Sequence, residues 1–253
     1  MKKKLVICIF IILLLIASIP LILTLTKQYP SEITYNSSNY WGTSNGMYYI
    51  TGNFLKYYDY NTHKAVPLCS KPDCSHNSAD CNAYYNCQGS AELLLYNDTL
   101  FISYANIEIL GLDTDTDTAI RDCAIYLEQC QLDGANRKII YKADNGSVLS
   151  MMAKNGFLYY TAYTTETSNT DRELVDNHLF EYNLRFHHTK ELATLHSNKD
   201  QFSASLEWIT GTELSSNPYL VYVYKNKDNQ SFTQFFYLTE NKHMEKYMEP
   251  LPI

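Results

Sequence analysis

Between Cys69 and Cys87 a chain of 253 residues places four thiols and one imidazole within 19 positions, spaced Cys69-x4-Cys74-x-His76-x4-Cys81-x5-Cys87. Three thiolates and an imidazole are a common tetrahedral donor set for zinc, and Pro67, Pro72 and the polar residues around them let a loop wrap an ion. Cys69, Cys74, His76 and Cys81 are therefore candidate metal ligands. The spacing departs from familiar fingers and knuckles, which begin with a close Cys pair before a longer gap to His. The same cysteines, together with Cys87, suit disulfides in an oxidising exterior, and free thiols suit an anaerobic setting. At this point all three chemistries stay open.

Other chemistry-bearing residues give weaker patterns. Cys123 and Cys130 cannot bridge each other if they share a continuous strand, because seven residues at about 3.3 Å each put them over 20 Å apart. Cys130 is expected to be a packed core residue. Asp113-Thr114-Asp115-Thr116-Asp117 alternates carboxylates, but Thr118 and Ala124 stand where an EF-hand loop needs Gly and Glu, so a solvated acidic loop is expected. His187-His188 falls in an expected hairpin tip. Glu166, Asp171, Glu173 and Asp176 lie in a Thr-rich and Ser-rich stretch expected to be a surface loop. The chain has no Gly-x-Ser-x-Gly elbow, phosphate loop, dinucleotide fingerprint or His-Glu-x-x-His pair, so no catalytic residue is assigned.

The elements that must position the cysteine segment repeat along the chain. Asn45-Gly46, Asn97-Asp98, Asn155-Gly156 and Asn217-Pro218 each precede a Tyr-rich or aliphatic strand, at spacings of 52, 58 and 62 residues. Asn and Gly tolerate the positive φ angles of tight hairpin turns, and aromatic and β-branched residues suit strands. A second strand recurs at Phe54 to Tyr58, Tyr126 to Leu132, Leu179 to Leu184 and Phe235 to Leu238. Leu132, Leu184 and Leu238 are 52 and 54 residues apart, a tighter agreement that places the insertions between the two shared strands. A hairpin follows each second strand, and those after Leu132 and Leu184 look two residues longer than those at Tyr60 and Leu238. Sheets of about four strands recurring in this way predict an all-β fold, a propeller-like array of about four blades. A β-sandwich is the alternative. With four units the array is either an open, shortened one or a very small closed ring.

The amino terminus sets an expected compartment. Three lysines at positions 2 to 4 precede an apolar run over residues 5–25, long enough at about 1.5 Å per residue to cross a bilayer core of roughly 30 Å. No small-x-small cleavage site precedes Gln28, so an uncleaved transmembrane signal-anchor is expected, its basic end (1–4) in the cytoplasm. Cys8 reads as an apolar thiol within that run. Residues 26–40 then form a linker, and 41–253 an extracytoplasmic β-repeat domain carrying the Cys/His-rich segment 69–87. Beyond Lys27 there are 16 basic and 27 acidic residues, a charge of −11 that argues against a nucleic-acid surface.

The run Leu127 to Ile140, with Leu132-Asp133-Gly134-Ala135-Asn136-Arg137-Lys138-Ile139-Ile140, resembles the blade motif of TolB-type propellers. Trp41-Gly42, Tyr57-Tyr58-Asp59 and the cysteine segment together resemble a group of uncharacterised membrane-anchored or secreted proteins from clostridia. The resemblance implies a fold and a location, not a reaction. The expected function is a membrane-anchored interaction or ligand-binding scaffold whose partners are the bilayer, through residues 5–25, and an extracellular or envelope protein or polysaccharide. A carbohydrate-active or other hydrolytic enzyme on a propeller and a zinc-responsive sensor are the alternatives. The 23 tyrosines suit strand packing first and ligand contact second.

Overall fold

The computed structural model describes residues 19, 25–30, 34–35, 39–87, 91–113, 118–144, 146–167, 173–196, 205–209, 219–225, 231–238, 244–246 and 251–252. The fold is all-β. A short strand, β1 (Thr34–Tyr35), precedes the first sheet, which is formed by β2 (Tyr40–Gly42), β3 (Gly46–Thr51), β4 (Phe54–Asp59) and β5 (Lys64–Pro67). The second contains β6 (Ala91–Tyr96), β7 (Thr99–Asp113), β8 (Thr118–Gln131) and β9 (Lys138–Asp144). In the third are β10 (Gly146–Lys154), β11 (Phe157–Thr167), β12 (Glu173–Asn183) and β13 (His188–His196), with β1 added beyond β10. The fourth follows β14 (Ser205–Ile209), β15 (Tyr219–Lys225), β16 (Ser231–Leu238) and β17 (Met244–Lys246), and β18 (Leu251–Pro252) also pairs with β16. Each sheet is an antiparallel meander, and the leading strands pack in succession, β2 on β6, β6 on β10, and β10 on β14.

The repeat register holds at single-residue detail. Superposing Leu132 on Leu184 brings Leu127 and Glu128 onto Leu179 and Phe180, and a β-bulge lies between each of these pairs. The residue skipped on the returning strand is Ile140 in one sheet and Leu192 in the other, again 52 positions apart. Length differences fall between the two shared strands, since β3, β7, β11 and β15 have 6, 15, 11 and 7 residues. Consequently Glu166, Glu173 and Asp176 lie on the long β11–β12 ladder, where a surface loop is expected from their composition. Asp171 and residues 114–117 lie outside the described residues.

Turns follow the φ preferences of their residues, with two departures. Asn97-Asp98 and Asn155-Gly156 form two-residue hairpin loops with both φ positive, the mirror-image turn that matches strand twist. In the first sheet that turn is made by Gly52 and Asn53, between β3 and β4, and not by Asn45-Gly46. Gly46 instead opens β3, where a Cβ would lie 2.3 Å from the Tyr58 carbonyl oxygen. The tip after Leu184 belongs with the short tip at Tyr60, not with the longer one after Leu132. Asp59 Oδ1 accepts from the amides of Asn61 and Thr62, Asn183 Oδ1 accepts from those of Arg185 and Phe186, and both loops end on a left-handed His, His63 or His187.

The core sits between sheets. One cluster joins Tyr48, Ile50 and Leu55 of the first sheet to Leu93, Leu100, Ile102 and Cys130 of the second. The other joins Leu94, Phe101, Ile125 and Leu127 of the second to Met151, Leu158, Tyr160 and Tyr182 of the third. The second sheet is thus covered on both faces, which explains the unbroken apolar runs Leu93-Leu94-Leu95 and Leu100-Phe101-Ile102. Among the described residues no helix is long and apolar enough to cross a membrane. Of the apolar run at 5–25, only Ile19 and Leu25 lie within them.

Gly134 and Gly52 both have positive φ, but only Gly134 abuts another segment, with a Cβ there falling 1.8 Å from the Leu68 carbonyl oxygen. Gly134→Ala is expected to cost about 2–4 kcal/mol, from left-handed strain plus displaced backbone. Gly52→Ala, with open space around it, should cost about 1 kcal/mol. Urea unfolding of the two variants checks the difference, and equal losses would refute the close packing of Gly134 on the first sheet.

Candidate metal centre

The loop between β5 and β6 carries the cysteines, and backbone hydrogen bonds fasten it at both ends. It starts where the Leu68 amide donates to the Leu55 carbonyl at 3.0 Å. It returns where Leu55 N donates to Ala83 O and Tyr85 N to Asn53 O, each at 2.8 Å, so residues 83–85 run beside the start of β4. Within the loop, Lys71 Nζ donates to the Asp80 carbonyl and Asn82 Nδ2 to Ser70 Oγ at 3.2 Å. His76 takes a left-handed φ of 55°, which turns the chain sharply between Cys74 and Cys81.

These constraints gather the donors. The ligand atoms of Cys69, Cys74, His76 and Cys81 all lie within 4.8 Å of one another, with His76 Nδ1 3.4 Å from Cys81 Sγ. Tetrahedral bonds of about 2.3 Å to sulfur and 2.0–2.1 Å to nitrogen set an S···N edge of about 3.6 Å and an S···S edge of about 3.8 Å. The observed spread therefore exceeds an ideal zinc shell by about 1 Å at most, a distance that side-chain torsions can close. Amides already point at the sulfurs, and Ala83 N donates to Cys81 Sγ at 3.4 Å. For Cys69, burial opposes ionisation, but the amides of Lys71 and Asn82 and the thiols of Cys81 and Cys74 outweigh it and bring the thiol down to about 6. Cys81 moves the other way, pushed up by burial and by its sulfur neighbours despite the Ala83 amide.

The other cysteines stay apart from this group. Cys87 is buried, its thiol facing Asn53 Oδ1 at 3.8 Å, and burial raises its proton affinity. Cys130 is 1% exposed in the core between the first two sheets, and burial pushes it up to about 11. None of Cys69, Cys74, Cys81, Cys87 and Cys130 is in a disulfide. Cys123 and Cys130 are seven positions apart on the continuous strand β8.

A feature that the cysteine spacing does not announce fixes the far side of the loop. Arg137, just before β9, donates through Nε to Glu128 Oε2 at 2.9 Å and through Nη1 to the carbonyls of Tyr84 at 2.6 Å and Asn82 at 3.2 Å. Its Nη2 lies 2.8 Å from the same carboxylate, and its guanidinium carbon sits 4.0 Å from the Tyr85 ring centroid. Tyr104 donates to Glu128 Oε1 at 2.6 Å. Glu128 is 5% exposed, and its carboxylate is thus taken up by Arg137 and Tyr104. The only sequence signal for this arrangement is an acidic residue inside an otherwise apolar strand face.

Removing Arg137 strands a buried carboxylate and two loop carbonyls. Arg137→Ala is expected to cost about 2–4 kcal/mol in urea unfolding, and Arg137→Met with Glu128→Gln to recover a large part of it. A single-variant loss below about 0.5 kcal/mol would mean that the pair does not hold the loop. Compared with known protein families and with curated proteins, the chain matches none, so the site stands on its own geometry.

Proposed function

We propose that this chain is a membrane-anchored, extracytoplasmic β-repeat scaffold, propeller-like with about four blades, in which Cys69, Cys74, His76 and Cys81 hold a structural zinc ion. The convergence of three thiols and one imidazole within 4.8 Å carries the zinc reading. Four protein donors fill a tetrahedral shell and leave no position for a substrate, which is the pattern of structural rather than catalytic zinc. The propeller reading is supported by four successive meanders whose leading strands pack on one another. A sheet array of this kind offers loops and edges to a protein or polysaccharide partner. The anchor reading rests on the apolar run at 5–25 and its basic flank.

Mass spectrometry of the purified full chain tests the zinc site. One zinc is expected natively, with a denatured mass equal to that of the fully reduced chain. Cys74→Ser should weaken zinc binding at least about 100-fold, since it removes a direct ligand, whereas Cys87→Ser should leave it intact. A zinc-free protein lighter by about two hydrogens per bridge would establish disulfides instead.

A further inference from the structure

Where the chain leaves the apolar run, it enters a cleft of about 390 Å³ between the tips of the second and third sheets. Lys27, Lys138 and His187 line it together with the neutral Gln129, Gln131 and Asn136, and no described lining residue is acidic. Burial, then the charges of Lys138 and Lys27, lowers the proton affinity of His187, which favours its neutral form beside the two lysines. Beside them the tip of the third sheet presents Phe186, 62% exposed, and Arg185 Nη2 donates to the Lys27 carbonyl at 2.7 Å. Two lysines lining a cleft, with an exposed aromatic next in sequence to its His187 and to Arg185, in a domain that is otherwise acidic, have the composition of a membrane-interface contact.

We propose that this cleft binds the phosphate of an anionic lipid headgroup, with Phe186 entering the interface beside it. The inference rests on the anchor reading for residues 5–25. Leu25 and Thr26 are helical, so Lys27 stands only about 3 Å along the axis beyond the last residue of the run. The polar layer on each side of a bilayer is about 5–8 Å deep, which places Lys27 inside it. The hydrogen bond from Arg185 then keeps the third-sheet tip, and the cleft it borders, at the same depth. Attraction between these cations and an anionic surface decays over about 8–10 Å, a distance this geometry does not exceed.

The test uses the full chain in nanodiscs of phosphatidylcholine alone and of phosphatidylcholine with phosphatidylglycerol, with amide hydrogen exchange as the readout. Incorporation into both discs is expected, with slower exchange at residues 136–138 and 185–188 only when phosphatidylglycerol is present. Lys138→Gln should weaken that protection about fivefold, and Lys138→Arg should retain it. Unchanged exchange within the sheets shows that either variant is folded. Incorporation with equal exchange in the two discs would overturn the headgroup site and leave the anchor standing. Failure to incorporate into either disc would overturn both. Equal protection by millimolar inorganic phosphate in neutral micelles would assign the cleft to a free anion and overturn the lipid assignment.

Discussion

A buried carboxylate governs the first half of this molecule. Glu128 occupies a strand position between two apolar layers, where an unpaired charge would cost several kcal/mol. The bulge at Leu127 and Glu128 leaves one residue of β9 unpaired, and the tip leading into β9 supplies Arg137. A guanidinium has more donors than one carboxylate accepts, and the surplus Nη1 reaches the carbonyls of Tyr84 and Asn82. Neutralising a charge in the second sheet thus positions the return path of a loop that belongs by sequence to the first. Cys81 lies one residue before Asn82, so the ligand group is referenced to both sheets.

Tyrosine plays a related part across the other interface. Tyr96, on β6, donates to the Pro30 carbonyl at 2.5 Å and accepts from the Gly156 amide at 3.1 Å, joining the chain ahead of β1 to the third sheet. Tyr182, on β12, donates to Gln129 Oε1 of β8 at 3.0 Å and meets His187 Nδ1 at 2.9 Å. Each ring fills the apolar layer while its hydroxyl satisfies a polar group that packing has removed from water. Leu or Phe at position 96 would fill the space but leave the buried Gly156 amide without this acceptor.

Sequence patterns revealed the repeat well because repetition is a local property. Leu132 and Leu184 mark equivalent positions, and even the bulges fall at the same offset. The four zinc-type donors were visible for the same reason, being close together in the chain. Competing local signals misled where two dipeptides could make the same turn. Asn45-Gly46 has the stronger hairpin composition, yet Gly52-Asn53 turns the chain, because Gly46 is needed where Tyr58 and Tyr57 leave no room for a Cβ. The Arg137 bonds to the Asn82 and Tyr84 carbonyls and the pairing of Thr34 with Ala153 link residues 53 and more positions apart in sequence, and no spacing rule encodes them. Composition alone also did not separate disulfides from metal ligands, since that distinction depends on whether sulfurs meet in pairs or as a group.

The arrangement of the core explains why such long-range ties are needed. Neither apolar cluster belongs to a single sheet, so each of the first three sheets has a buried face only while its neighbour is in place, as in repeat proteins generally. Stability then resides in interfaces, and the two interfaces among the first three sheets are each crossed by a segment that is not part of the regular meander. Between the first and second sheets it is the cysteine loop, clamped by Arg137 and closed on Gly134. Between the second and third it is residues 27–30 and β1, with Tyr29 packed where Gly156 lacks a side chain and β1 paired to β10. A four-donor metal site in the first of these segments would act on the interface as a whole, because its ligands lie in a loop whose two ends are fastened beside β4 of the first sheet and whose return path is held by Arg137 of the second.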